Sequence, residues 1–82
     1  MQQITNTIKK RESGVCMINR IGEAREKLGF SQEQLAMMTG IKRQAISEYE
    51  LDKRRPNVVN LLKIAKALKC HADELLILED ND

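Results

Sequence analysis

Residues 31–49, SQEQLAMMTGIKRQAISEY, decide how the chain is read. Ser31, followed three residues on by Gln34, is a capping-box pattern of the kind that opens a helix, and this helix runs to about Met38. Gly40 is the residue type that takes a left-handed conformation at no steric cost, so Thr39, Gly40 and Ile41 make a tight turn. A second helix follows over about residues 42–50. Leu35, Ile41, Ile46 and Tyr49 fall at inward positions, and Ala36 is small enough to let the two helices cross steeply. Ala36 lies four residues before Gly40, and Ile46 lies six after it. One such position would mean little, but the whole set defines a helix-turn-helix.

The flanks read as a scaffold for this unit. Upstream, Ile18, Ile21, Ala24 and Leu28 form one apolar stripe while Arg20, Glu23, Glu26 and Lys27 lie opposite, which predicts a helix over residues 18–28. Gly29 stands where a left-handed C-cap is wanted. Downstream, Asp52 is a residue that tolerates the left-handed region, and Asn57 after Pro56 can cap a fourth helix. Val58, Leu61, Leu62, Ala65 and Leu68 repeat at helical spacing through Lys69. A short fifth helix over residues 72–78 carries Asp73 and Glu74 at its positive end. No strand, repeat or low-complexity tract is read. The prediction is an all-α, five-helix domain over residues 17–78, between a flexible N-terminal arm (1–16) and an acidic C-terminal tail (79–82). Lys9, Lys10 and Arg11 are the arm's one feature. Met17, just before the first periodic segment, offers a second start for translation.

Composition fits one small domain. Eighty-two residues with 41% apolar side chains, one Phe, one Tyr and no Trp leave the core to aliphatic residues, which favours packed helices over a sandwich of strands. A chain this short buries only about 60–65% of its unfolded surface, so a partner subunit would add needed stability. The net charge of +2 is unevenly spread. Residues 1–30 carry six basic and three acidic groups, residues 31–55 five and four, and residues 56–82 three and five. A basic end set apart from an acidic tail gives weak support for a polyanionic partner. No apolar run approaches the ~20 residues that span a bilayer, and no signal-peptide core is read, so a cytoplasmic protein is expected. Cys16 and Cys70 are then expected as free thiols, with a disulfide only in an oxidising setting. With His71 they lack the paired spacing of a zinc site, and no metal or cofactor is expected. His71 has no nucleophile partner and no phosphate loop is present, so the chain does not read as an enzyme.

Lys42, Arg43, Gln44, Ser47 and Glu48 point outward from the second helix of the central unit. Such side chains can read base edges and hold phosphates. Lys53, Arg54 and Arg55 follow directly in the loop.

The chain also resembles a known family. Gly29-Phe30-Ser31-Gln32, Leu35-Ala36, Gly40-Ile41, Ile46-Ser47, Glu50 and Pro56 carry the likeness, continued by Leu61-Leu62-Ile64-Ala65-Leu68 and Asp73-Leu75-Leu76. They are similar to the phage-repressor-like (Cro/repressor, XRE) helix-turn-helix family over residues 18–76. The resemblance implies a lambda-repressor-like fold whose third helix enters the major groove of double-stranded DNA, and a homodimer on a two-fold symmetric operator. It implies base reading by Lys42, Arg43, Gln44, Ser47 and Glu48, and phosphate contacts by Gln32, Lys53, Arg54 and Arg55, with Gln32 also bracing Gln44. Glu50 is expected in a structural hydrogen bond and Tyr49 in the core. The family often carries Gly where this chain has Asp52.

Leu75, Leu76, Ile77 and Leu78 are four apolar residues in succession, of which one helix turns only about half inward. They are the expected dimer interface, with the end of the fourth helix. The function expected is therefore a DNA-binding transcriptional regulator, most simply a repressor. An antitoxin that neutralises a protein partner and autoregulates through DNA is the alternative, and a restriction-modification controller would share the same chemistry.

Overall fold

Residues 15–80 are described by the computed structural model. The arm's Lys9-Lys10-Arg11 run, the side chain of Cys16 and the last two tail residues lie outside the described residues. Ser31 and Gln34 do cap each other. Ser31 Oγ accepts from the Gln34 amide at 3.0 Å and Gln34 Oε1 accepts from the Ser31 amide at 2.7 Å. They open helix α2 (Gln32–Thr39), which follows α1 (Ile21–Lys27) and precedes α3 (Arg43–Glu50). Asn57 Oδ1 accepts from the Asn60 amide at 2.7 Å and opens α4 (Val58–Ala67), and α5 is the single turn Ala72–Leu75. The five predicted helices are present, and the turn between α2 and α3 holds Gly40 at φ 74°.

Three helices end the same way. After α1 the amides of Gly29 and Phe30 donate to the carbonyls of Glu26 and Arg25. After α3 those of Asp52 and Lys53 donate to Tyr49 and Glu48, and after α4 those of Lys69 and Cys70 donate to Lys66 and Ala65. This paired closure needs a left-handed residue at its centre. Gly29, Asp52 and Lys69 occupy it at φ 77°, 61° and 56°.

The chain also forms two strands that its pattern did not announce. β1 (Val15–Asn19) pairs antiparallel with β2 (Leu76–Asp80), in a register that sets Met17 against Leu78 and Asn19 against Leu76. Helix α1 thus begins at Ile21 rather than Ile18, and α5 stops at Leu75 rather than Leu78. Val15 and Cys16, placed in the arm by sequence, belong to β1, and Glu79 and Asp80 of the tail belong to β2. The physical reason is that a short apolar run suits helix and strand alike until a pairing partner decides it.

The core is aliphatic and central. Ile21, Leu35, Ile46, Ile64 and Leu75 are fully buried, joined by Ile41, Ala65, Leu68 and Tyr49. Val58 and Leu62, read as inward, are exposed at 71% and 54%. The inward face of α4 is instead Leu61, Ile64, Ala65 and Leu68. The expected dimer quartet divides likewise. Leu75 is 0% exposed and belongs to its own protomer's core, Leu76 and Ile77 are half-buried, and Leu78 is 67% exposed. Leu75 closes α5 and the other three belong to β2, where a longer helix would have given a stripe.

Candidate nucleic-acid interface

Helix α3 stands on a floor of polar bonds as well as apolar contacts. Thr39, 8% exposed, donates its hydroxyl to the Leu35 carbonyl at 2.8 Å and accepts the Ile41 amide at 3.2 Å, which satisfies the buried turn. Asn19 donates to the Tyr49 carbonyl at 2.6 Å and accepts the Ile21 amide at 3.0 Å, tying the end of α3 to the start of α1. Asn60 donates to the Tyr49 hydroxyl at 3.0 Å, tying α3 to α4. Tyr49 is accordingly core.

Glu50 is the hub on the other side. Its carboxylate accepts from Arg25 Nε at 2.7 Å and Nη2 at 3.2 Å, and from Gln32 Nε2 at 3.0 Å. Both ionic side chains are nearly buried, at 12% and 9% exposure. The hydrogen bond that Arg25 donates to Glu50 raises its guanidinium above its ordinary pKa, against the opposing effect of burial. Because Gln32 gives its amide NH₂ to Glu50, its oxygen is left facing α3. There it accepts from Arg43 Nη1 at 3.2 Å. Gln32 therefore braces Arg43 rather than the expected Gln44. A chain of bonds runs from α1 through Glu50 and α2 to the first residue of the outward helix.

The remaining site residues fall on one exposed rim. Lys42, Arg43 and Gln44 are exposed at the start of α3, and Ser47 and Glu48 are half-buried one turn on. Lys42, Gln44 and Arg54 line a shallow groove floored by Ile41, Ala45, Tyr49 and Asn60, with no carboxylate in its lining. Arg54 reaches that groove while holding Glu48, through Nε at 3.0 Å and Nη2 at 2.6 Å, both on Oε1. Arg55 approaches Asp52 at 3.9 Å, and Lys53 is exposed. Such a rim can hold phosphates with cations and present amide and guanidinium forks to base edges.

Arg25, Asn19, Thr39 and Asn60 were missed by sequence. Only Thr39 had a local signal, as a hydroxyl residue on the last turn before a left-handed glycine. Among the described residues no three His, Cys, Asp or Glu side chains are grouped to hold a metal ion, and no helix is long and apolar enough to cross a membrane. Cys70 is half-buried, and burial, with the nearby Glu74 charge, pushes its thiol pKa up.

The helix-turn-helix family model matches residues 21–75, from the first residue of α1 to the last of α5. The chain belongs to the helix-turn-helix family. Among its relatives in that family, repressor protein C2 of Salmonella phage P22 is 43% identical over 60 residues, covering 73% of this chain and 28% of the repressor. An HTH-type transcriptional regulator of Archaeoglobus fulgidus is 35% identical over 66 residues, covering 80% of this chain and 94% of its own length. The P22 c2 repressor in complex with a synthetic operator superposes with a TM-score of 0.68 at 43% identity, covering 71% of this chain and 88% of that one. The restriction-modification controller protein C.AhdI of Aeromonas hydrophila superposes at 0.65 and 38% identity, covering 67% and 83%. This chain spans less than a third of the phage relative's length but nearly all of the archaeal one's.

Proposed function

We propose that this protein is a transcriptional regulator of repressor type that binds double-stranded DNA in a sequence-specific manner. The observation that carries the reading is the bonded chain Arg25–Glu50–Gln32–Arg43, which orients the first side chain of an exposed helix across a helix-turn-helix. A side chain held before the ligand arrives loses less entropy on binding. In this reading Arg43 and Gln44 read base edges, with Lys42 and Ser47 beside them, Arg taking guanine and Gln adenine by paired hydrogen bonds. Lys53, Arg54 and Arg55, and Gln32 at the positive end of α2, hold the phosphate backbone and fix the register. The structural likeness to a repressor bound to its operator supports this docking.

Binding as a homodimer to an inverted repeat follows from the same reading, with two α3 helices about 34 Å apart in successive major grooves. Leu78, with Ile77 beside it, supplies the apolar surface for such a contact, and Leu75 does not. Selection of bound sequences from a random duplex library, followed by titration of the best site, tests the proposal. Recovery of an inverted repeat with half-sites about one helical turn apart is expected. Weak binding without a consensus would overturn it and move an antitoxin-like role ahead.

A further inference from the structure

Glu48 lies on the outward face of α3, where it could be taken for a base-reading residue, yet its carboxylate is already engaged. Arg54 places Nε and Nη2 on one oxygen of Glu48, at 3.0 and 2.6 Å. The loop is folded to make this happen. The Lys53 and Arg54 amides both donate to the Glu48 carbonyl, at 2.9 and 3.4 Å, so the chain turns back along the end of α3. Glu48's side chain is 29% exposed and Arg54's 58%, which leaves the carboxylate partly covered and the guanidinium accessible. Nη1 of Arg54 has no hydrogen-bond partner among the described residues, and Arg54 lines the groove shared with Lys42 and Gln44.

We infer that Glu48 is a positioning residue that acts on DNA through Arg54 rather than by touching a base. The inference rests on the proposed DNA-binding function. A carboxylate oxygen held by an arginine fork is the geometry a phosphate oxygen adopts. Glu48 therefore stands in for phosphate in the free protein, parking Arg54 against α3 with one nitrogen presented. A phosphate in the right place adds to Nη1 without breaking the pair. A phosphate met at random, away from that line, gains Arg54 only if the pair with Glu48 opens. The contact therefore disfavours ill-registered DNA and leaves correctly registered DNA unpenalised, a contribution to specificity from a residue that reads no base.

The experiment is a double-mutant cycle on the full chain, with binding to a random-sequence duplex and to the duplex selected from a library measured over a salt series. Glu48→Gln, which keeps shape and removes charge, is expected to tighten random-duplex binding about two- to fivefold, the range open to an exposed ion pair. It should steepen the salt slope by about one, as a freed cation reaches a phosphate. Binding to the selected duplex should change less than twofold. In an Arg54→Gln background, Glu48→Gln should then have no effect on the random duplex. An equal tightening with and without Arg54 would show that Glu48 only repels phosphate, and would overturn the inference while leaving the function standing. A changed base preference at one operator position in Glu48→Gln would show direct reading and overturn it likewise. If the unaltered chain bound neither duplex, the proposed function itself would fall. The Arg54 Nε–H proton, read by NMR in the free protein, should exchange slowly and lose that protection in Glu48→Gln. Fast exchange in the unaltered chain would show that the pair does not hold, and would overturn the inference apart from any DNA result.

Discussion

At Asp52 and Lys69 the backbone takes the left-handed conformation that Gly29 takes after α1. The same two carbonyls are closed at each site, so the three positions differ mainly in side chain. A Cβ in this region costs about 1 kcal/mol relative to glycine, offset in part by glycine's larger unfolded-state entropy. Asp52→Gly and Lys69→Gly should each stabilise the fold by up to about 1 kcal/mol, raising the melting temperature by about 4–8 °C at most. Gly29→Ala should lower it by a similar amount. Thermal unfolding followed by circular dichroism reads all three, and a loss of stability in Lys69→Gly would count against this account of the α4 terminus. Glu50 is a residue of another kind, because removing it strands a charge. Glu50→Ala leaves the nearly buried Arg25 with only the exposed Glu26 carboxylate at 3.5 Å, so a loss of about 3 kcal/mol is expected in urea unfolding, the low end for a broken buried pair. Arg43 should lose its brace as well, since Gln32 is then free to turn its amide.

At the scale of elements, neighbours in sequence diverge once α5 gives way to β2. Leu75 closes the core and Leu78 lies in the open. Leu75→Ala should destabilise by about 2–5 kcal/mol through the cavity it leaves. Leu78→Ser should stay within about 0.5 kcal/mol in the isolated protomer. If Leu78 sits at a dimer contact, that substitution instead lowers the association constant seen by sedimentation, with the unfolding of the protomer little changed. The helices were legible because their signals are local. Ser31 with Gln34, Asn57, Gly29 and Gly40 each act within four residues, and Ile41, Ile46 and Tyr49 lie close along the chain. The ribbon was not, because Val15–Asn19 meets Leu76–Asp80 across most of the domain and neither strand shows clear alternation. The site divides in the same way. That Lys42, Arg43 and Gln44 face outward follows from helical spacing around Ile41, Ala45 and Ile46. That Gln32 holds Arg43 and Arg54 holds Glu48 depends on the angle between elements and the path of a loop, which residue spacing does not specify.

At the scale of the whole molecule, the basic groups gathered around α3 set how binding should respond to salt. Lys42, Arg43, Lys53, Arg54 and Arg55 are exposed on α3 or at its two ends. Full engagement of these five gives a slope of log K against log salt of about −4.5 per protomer, and the pairs with Glu48 and Asp52 make it shallower for random DNA. Lys9, Lys10 and Arg11 would add about −2.7 if they too met phosphates. The register of the ribbon argues against that addition. The described residues begin at Val15, which pairs with Asp80 at the acidic end of β2, beside Glu79. Phosphate brought to this end of the ribbon meets the exposed carboxylate of Glu79. Replacing Lys9, Lys10 and Arg11 together by glutamine should therefore leave the slope within about half a unit of that of the unaltered chain. A slope shallower by two or more in isothermal titrations between 50 and 200 mM salt would place the arm on the DNA, adding a second basic contact surface to the one built around α3.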